Sequence, residues 1–177
     1  MLLTLKTLRK KRYFKLGVEI VVVLAIYLAV KAFMQRDLVD GPVPSLEGRL
    51  LGGQSFNIQS YQGKPLFKGK PKLLHFWATW CSICKMEQNS IASISEDYEV
   101  ITVAMNSGTD REVAAYLEER GLSFPVMVDE HGAIAERFGV RGVPTSFIID
   151  SNANIQFTEV GFTSELGLRA RLWLASW

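Results

Sequence analysis

A chain of 177 residues, 48% hydrophobic and 21% charged, has room for one ordinary globular domain and an extra apolar segment. Its net charge of +2 is unevenly placed: residues 1–36 carry eight Lys and Arg against the single acid Glu19, which leaves 12 basic and 17 acidic residues beyond them. That acidic remainder argues against nucleic acid, which needs a basic face, and two cysteines are too few for a disulfide framework or a four-ligand structural zinc site.

Residues 1–15 form a basic leader, and residues 16–34 a mostly apolar run interrupted by Glu19 and Lys31. About 20 helical residues cross a hydrocarbon core, so the run suffices as a single transmembrane anchor with both charges near the interfaces. Positive charge ahead of it keeps the N-terminus in the cytoplasm and sends the rest outward, as a periplasmic or otherwise extracytoplasmic domain. A cleaved signal peptide is the competing reading; Lys31 and Phe33 stand where its small-residue cleavage site would be wanted. Residues 35–45, with Gly41, Pro42 and Pro44, read as a linker, and residues 46–177 as the domain.

Within that domain, Gly52-Gly53 between apolar runs signals a hairpin over residues 46–61, and the lysine-rich stretch 63–72 reads as a loop. Leu73-Leu74-His75-Phe76 is a buried strand that passes through Trp77-Ala78-Thr79-Trp80 to Cys81-Ser82-Ile83-Cys84. A helix follows, with Cys84, Ile91, Ile94 and Tyr98 on one face. Cys81 therefore stands at a helix N-terminus, where unpaired N–H groups and the positive end of the macrodipole favour an anion. Such a setting lowers a thiol pKa from about 8.5 to about 7 or below and makes Cys81 a nucleophile. Cys84, one turn on, resolves a mixed disulfide from within. The chemistry is dithiol–disulfide exchange, with the Cys81–Cys84 pair as the redox group and no other cofactor or resident metal. A Cu(I) binder using Cys81, Cys84 and Met86 is the reading from another class.

Residues 99–104 are a β-branched strand, and Thr109 caps a helix carrying Val113, Tyr116 and Leu117 that Gly121 stops. A short strand at 124–129, a short helix at 133–138 and a hairpin of 145–149 with 155–160 follow. The closing helix, 164–177, presents Leu166, Leu168, Leu172, Trp173 and Trp177 as its apolar face. Strands alternating with helices, then a hairpin and a helix, fit a mixed α/β sheet covered on both faces.

Trp-Ala-Thr-Trp-Cys-x-x-Cys-Lys-x-Glu at residues 77–87, with Gly142-Val143-Pro144-Thr145 downstream, resembles the membrane-anchored thioredoxin-like proteins of the TlpA/ResA/DsbE type, from about residue 46 to the C-terminus. The resemblance implies a thioredoxin-like fold with an N-terminal β-hairpin and an αβ insertion, placed at 109–128. It implies a thiol–disulfide oxidoreductase whose partners are a protein with disulfides or thiols and a membrane dithiol donor. Reduction is the expected direction, in work such as preparing apocytochrome c cysteines or maintaining thiols under copper stress; a disulfide oxidase or isomerase is the alternative. Glu87 matches the family's acid near the cysteines, a proton carrier for Cys84, against the plainer reading of a partly exposed glutamate near a helix start. Pro144 matches the family's cis-proline, which would present Val143 to an extended substrate, with Trp80 and Thr145 beside it. His75 stands where plain thioredoxins carry a buried aspartate; it reads as a satisfied core histidine or as a second proton handler.

Overall fold

The computed structural model of the protein describes residues 2–58 and 70–177, with side chains from residue 15 onward. The lysine-rich stretch 63–72 lies mostly outside these residues. The chain forms two compact units, Met1–Arg36 and Asp37–Trp177. The first is one helix, α1 (Leu2–Gln35), so the basic leader continues into the apolar run without a break. Its stretch Lys15–Gln35, of mean hydropathy 2.2 and with none of it buried, is long and apolar enough to cross a membrane.

The second unit is built on a mixed sheet. Three parallel strands, β4 (Lys72–Trp77), β5 (Glu99–Met105) and β6 (Val126–Asp129), make one half. The other half is antiparallel: β7 (Thr145–Ile149) pairs with β4, β8 (Asn154–Val160) with β7, and the short β1 (Gly41–Pro42) with β8. A separate hairpin, β2 (Glu47–Arg49) with β3 (Ser55–Asn57), precedes β4 as the Gly52-Gly53 signal anticipates. Helices α2 (Ser82–Asp97), α3 (Asp110–Glu119), α4 (Ala133–Arg137) and α5 (Glu165–Leu174) complete the fold. This is the mixed α/β, thioredoxin-like architecture, with α3 and β6 supplying the additional αβ unit.

Strand β4 is central, between β5 and β7, which is why its sequence is apolar but for Lys72 at its start and His75. Alternation along it feeds two cores. Leu73 and Trp77 join Cys84, Ile91, Ile94, Leu168 and Leu172 on one side; Leu74 and Phe76 join Ile101, Val103, Phe138 and Phe147 on the other. The sheet thus fixes the start of α2 directly above the C-terminal end of β4, where Ala78–Trp80 turn the chain from strand to helix.

Two details differ from the sequence reading. Residues 35–45 are not a free linker: from Asp37 onward they belong to the domain. Val43 is buried and its N–H reaches the Ala153 carbonyl at 2.9 Å, while Val39 N–H bonds the Phe138 carbonyl at 3.3 Å. The edge strand β8 offers backbone groups that this segment satisfies, and Gly/Pro composition hides that pairing. Helix α5 ends at Leu174 rather than at residue 177 and buries only Leu168 and Leu172; Leu166 and Trp173 on it, and Trp177 past its end, stand 78%, 56% and 91% exposed. Two apolar stripes run along this helix, and only one meets the sheet.

Caps set the shorter helices. Thr109 and Glu112 form a reciprocal capping box at α3. For α4, the buried Asp129 carboxylate accepts the N–H groups of Ile134 at 3.1 Å and Ala135 at 2.9 Å. Asp129→Ala leaves both donors without that partner and is expected to cost about 1–2 kcal/mol. Urea unfolding would read it as a lower midpoint at unchanged slope.

Candidate active site

Cys81 is the N-cap of α2, in extended conformation, and its sulfur accepts the N–H of Cys84 at 3.1 Å. No acidic residue occupies the first turn, so nothing competes there with a thiolate for the positive end of the helix. The two sulfurs are joined as a disulfide, with Cα atoms 5.3 Å apart. Cys81 is 6% exposed and Cys84 wholly buried, so only the first sulfur is open to an incoming nucleophile. Of the pair, Cys81 lies nearer the surface and Cys84 beneath it.

The loops around this pair are mutually pinned. Thr79 N–H bonds Ser107 Oγ at 3.1 Å, Ser107 Oγ–H bonds the Met105 carbonyl at 3.0 Å, and Trp80 Nε1–H bonds the Asn106 carbonyl at 3.0 Å. Asn106 takes positive φ, 47°, where the chain turns out of β5. Trp80 remains 60% exposed, so its ring is held at the rim and faces solvent. Trp77 is buried, its ring tilted against Tyr116 and edge to face with Phe124, at 5.6 and 5.9 Å between ring centroids.

The Val143–Pro144 peptide bond is cis, and the Val143 carbonyl oxygen lies 3.6 Å from Cys81 Sγ. The downstream motif is therefore brought to the cysteine pair across 62 residues of sequence. Val143 is half-buried and Pro144 buried. Thr145, expected to touch substrate, instead is buried and donates its hydroxyl to the Gly142 carbonyl at 2.8 Å. It holds the loop, because a threonine inside a five-residue strand buried throughout has no route to the surface.

Glu87 is 2% exposed, three residues past Cys84 on the face of α2 that carries it. Burial pushes its carboxyl up to about 7, against the opposing pull of the Thr163 N–H that bonds Oε1. The reading of a partly exposed surface glutamate does not hold. His75 is buried on β4 with Nδ1 2.9 Å from Ser146 Oγ, and burial pushes it down to about 3. It stays neutral wherever thiols titrate, so a hydrogen-bonded core histidine describes it and a second proton handler does not. Of the two acid–base candidates, only Glu87 changes charge near neutral pH.

Sequence reasoning missed the segment 161–163. Gly161 N–H bonds the Pro144 carbonyl at 2.8 Å while Thr163 N–H bonds Glu87, so one short loop ties the proline turn to the carboxyl. Phe162, between them, is 55% exposed. The only local signal was a glycine ending a strand. Among the described residues no group of three or more His, Cys, Asp or Glu side chains could hold a metal ion.

Comparison with known proteins places this geometry. The family model described as Redoxin matches residues 38–170. A "Thioredoxin-like protein" of Haemophilus influenzae is 30% identical over 166 residues, covering 93% of this chain and 96% of its own. The "Thiol:disulfide interchange protein DsbE" of Escherichia coli K12 is 30% identical over 167 residues, 88% of this chain and 87% of its own. Among solved structures, a thiol:disulfide interchange protein of the thioredoxin family from Chlorobium tepidum superposes with a TM-score of 0.63 at 26% identity, covering 80% of this chain and 99% of that one.

Proposed function

Because the chain belongs to the Redoxin family and is a thiol–disulfide oxidoreductase of the DsbE/ResA type, we propose that it works outside the cytoplasmic membrane, anchored by α1, as a reductase of disulfides in partner proteins. The observation that carries this reading is the juxtaposition of one accessible and one buried sulfur with a carboxyl that titrates near 7.

In the reduced enzyme the Cys81 thiolate attacks one sulfur of the partner's disulfide. That S–S bond breaks, its other sulfur leaves as a thiolate that takes up a proton, and Cys81 is left in a mixed disulfide. The Cys84 thiol gives its proton to ionised Glu87 and attacks the Cys81 sulfur. The Cys81–Cys84 bond forms, and the partner's second sulfur departs as a thiolate, which is protonated in turn. Two electrons and two protons have then passed to the partner. A dithiol donor in the membrane reverses the sequence and restores the enzyme. The Val143 backbone beside Cys81 receives an extended segment of the partner by strand-like pairing, and Trp80 covers its flank. Preparation of apocytochrome cysteines and thiol maintenance under copper stress are tasks that suit such a reductase. The basic residues ahead of the apolar run orient the helix with its N-terminus in the cytoplasm.

Trapping thiols in growing cells with an alkylating reagent tests the direction of flow. A reductase is expected mainly as the dithiol, and it turns to the disulfide when its membrane donor is deleted. A protein found mainly as the Cys81–Cys84 disulfide in unstressed cells is an oxidase instead.

A further inference from the structure

The turn that carries Val143 is held from two directions along the chain. Downstream, Thr145 donates its hydroxyl to the Gly142 carbonyl, and Gly161 N–H bonds the Pro144 carbonyl. Upstream, residues 138–144 belong to no helix or strand and leave α4 through Gly139, at φ 69°. There the N-terminal segment 37–45 crosses them. Val39 N–H bonds the Phe138 carbonyl at 3.3 Å, and Arg137 Nη1–H bonds the Ser45 carbonyl at 3.0 Å. Gly139 abuts the segment's backbone: a β-carbon there would overlap the Asp37 carbonyl and stand 3.1 Å from Leu38 Cα. Side chains join in, since Val43, Val140 and the partly buried Leu38, Val39 and Val143 share one apolar cluster. The Arg141–Asp37 ion pair, at 3.3 Å, is 75% and 36% exposed and therefore contributes little. Backbone fit and burial hold the segment in place.

We propose that segment 37–45 is a positioning strap for the substrate-binding turn. By holding Phe138 to Arg141 it fixes where Val143 stands beside Cys81, whose sulfur lies 3.6 Å from the Val143 carbonyl. Val143 is two residues past Arg141, about 7 Å of chain at most, so a displacement upstream reaches it with little slack. Strand pairing does not absorb the shift, because β7 begins only at Thr145. An extended polypeptide that pairs with the Val143 backbone feels such a displacement. A small disulfide, which meets Cys81 alone, does not. The strap thus acts on recognition of the polypeptide and leaves the reactivity of the sulfur as it is. It also gives Gly139 a second reason. Asparagine can end a helix in the left-handed region, but any side chain at 139 would push the strap away.

The inference rests on the redox reading of Cys81, so its test separates the two. Val39→Pro, in the full-length protein held in detergent micelles, removes the N–H that bonds the Phe138 carbonyl. Two disulfides with the same leaving group are offered to the reduced protein. One is 5,5′-dithiobis(2-nitrobenzoate); the other is a short extended peptide whose central cysteine carries 5-thio-2-nitrobenzoate. The Cys81 thiolate attacks the peptide sulfur, that S–S bond breaks and the coloured thiolate leaves; Cys84 then displaces the peptide thiol. In the variant the second-order rate constant with the peptide should fall at least about tenfold, and that with the small disulfide should stay within about twofold. Hydrogen exchange at the Gly161 amide, whose acceptor is the Pro144 carbonyl, should quicken about tenfold while the Leu168 amide of α5 keeps its protection. Asp37→Ala with Leu38→Ala, which leaves every backbone group in place, should give the same pattern more weakly and serves where Val39→Pro does not fold. Unchanged peptide rates, equal losses with both disulfides, or an unmoved Gly161 amide would each overturn the strap and leave the redox reading intact. A parent protein whose Cys81 reacts with neither disulfide would overturn both.

Discussion

Cys81→Ser is expected to lower exchange with any disulfide by at least about a thousandfold, because the step that opens the cycle has no other nucleophile. Serine preserves the fold: its hydroxyl replaces the sulfur as acceptor for the Cys84 N–H, and serine is among the best N-cap residues. Activity and stability should therefore separate, with near-normal urea unfolding of the reduced proteins beside an absent turnover. Cys84→Ala differs in kind. Cys81 still attacks, resolution cannot follow, and the mixed disulfide accumulates in a single turnover. A Cys81→Ser protein that still exchanged, or a Cys84→Ala protein that cycled normally, would reverse the assignment of attacking and resolving sulfurs.

Glu87→Gln should produce the second large effect, and its sign depends on pH. The folded carboxyl is raised to about 7 from an ordinary 4.5, so between those values the native state holds a proton that the unfolded chain has released. Stability from this source is complete below pH 4.5 and falls as pH rises through 7. Glutamine carries no charge to bury, and its Oε1 can still accept the Thr163 N–H. The variant should thus match the parent in acid and exceed it by about 2–3 kcal/mol at pH 8. Glu99, buried beside Lys72 at 3.9 Å, is also pushed up to about 7 by burial, but it affects parent and variant alike and cancels in the difference. Kinetically the sign is opposite: without a base at 87 the resolving step should slow about a hundredfold near neutral pH and lose its inflection near 7. Unfolding at pH 5 and 8, with thiol reactivity followed from pH 5 to 9, checks both. Identical profiles would remove Glu87 from the mechanism.

These expectations draw on parts of the chain that were unequally legible. Cys81, Cys84 and Glu87 lie within two turns of one helix, so spacing alone puts them together. The burial of β4 is equally plain, because a strand covered on both faces is mostly apolar, and its one buried polar side chain, His75, needs a partner such as Ser146. What eluded the sequence was pairing over long separations. The Thr163–Glu87 bond spans 76 residues, and β1 joins β8 through backbone groups that leave no trace in side-chain pattern. Periodicity also misread α5. It detects that apolar residues share a side of a helix, but it cannot say which side the sheet covers: Leu166 and Trp173 belong to the uncovered one, and Trp177 lies past the helix end. The role expected of Thr145 failed for a related reason: adjacency to Pro144 in the chain does not decide which way a strand residue points.

The Thr163 amide gives the chemistry at sulfur an indicator elsewhere in the backbone. Its hydrogen bond ends on the atom whose charge changes, and bonds to a carboxylate are shorter and stronger than bonds to the neutral acid. In a nitrogen–proton correlation spectrum, the Thr163 resonance should shift with pH along the titration of Glu87. The Gly161 amide, bonded to the uncharged Pro144 carbonyl, serves as the stationary reference two residues away. When the disulfide is reduced, a negative charge on Cys81 raises the proton affinity of Glu87, and the Thr163 titration curve should move to higher pH. The displacement between the curves of the two redox forms measures the coupling of electron and proton at this site, without any probe attached to a cysteine.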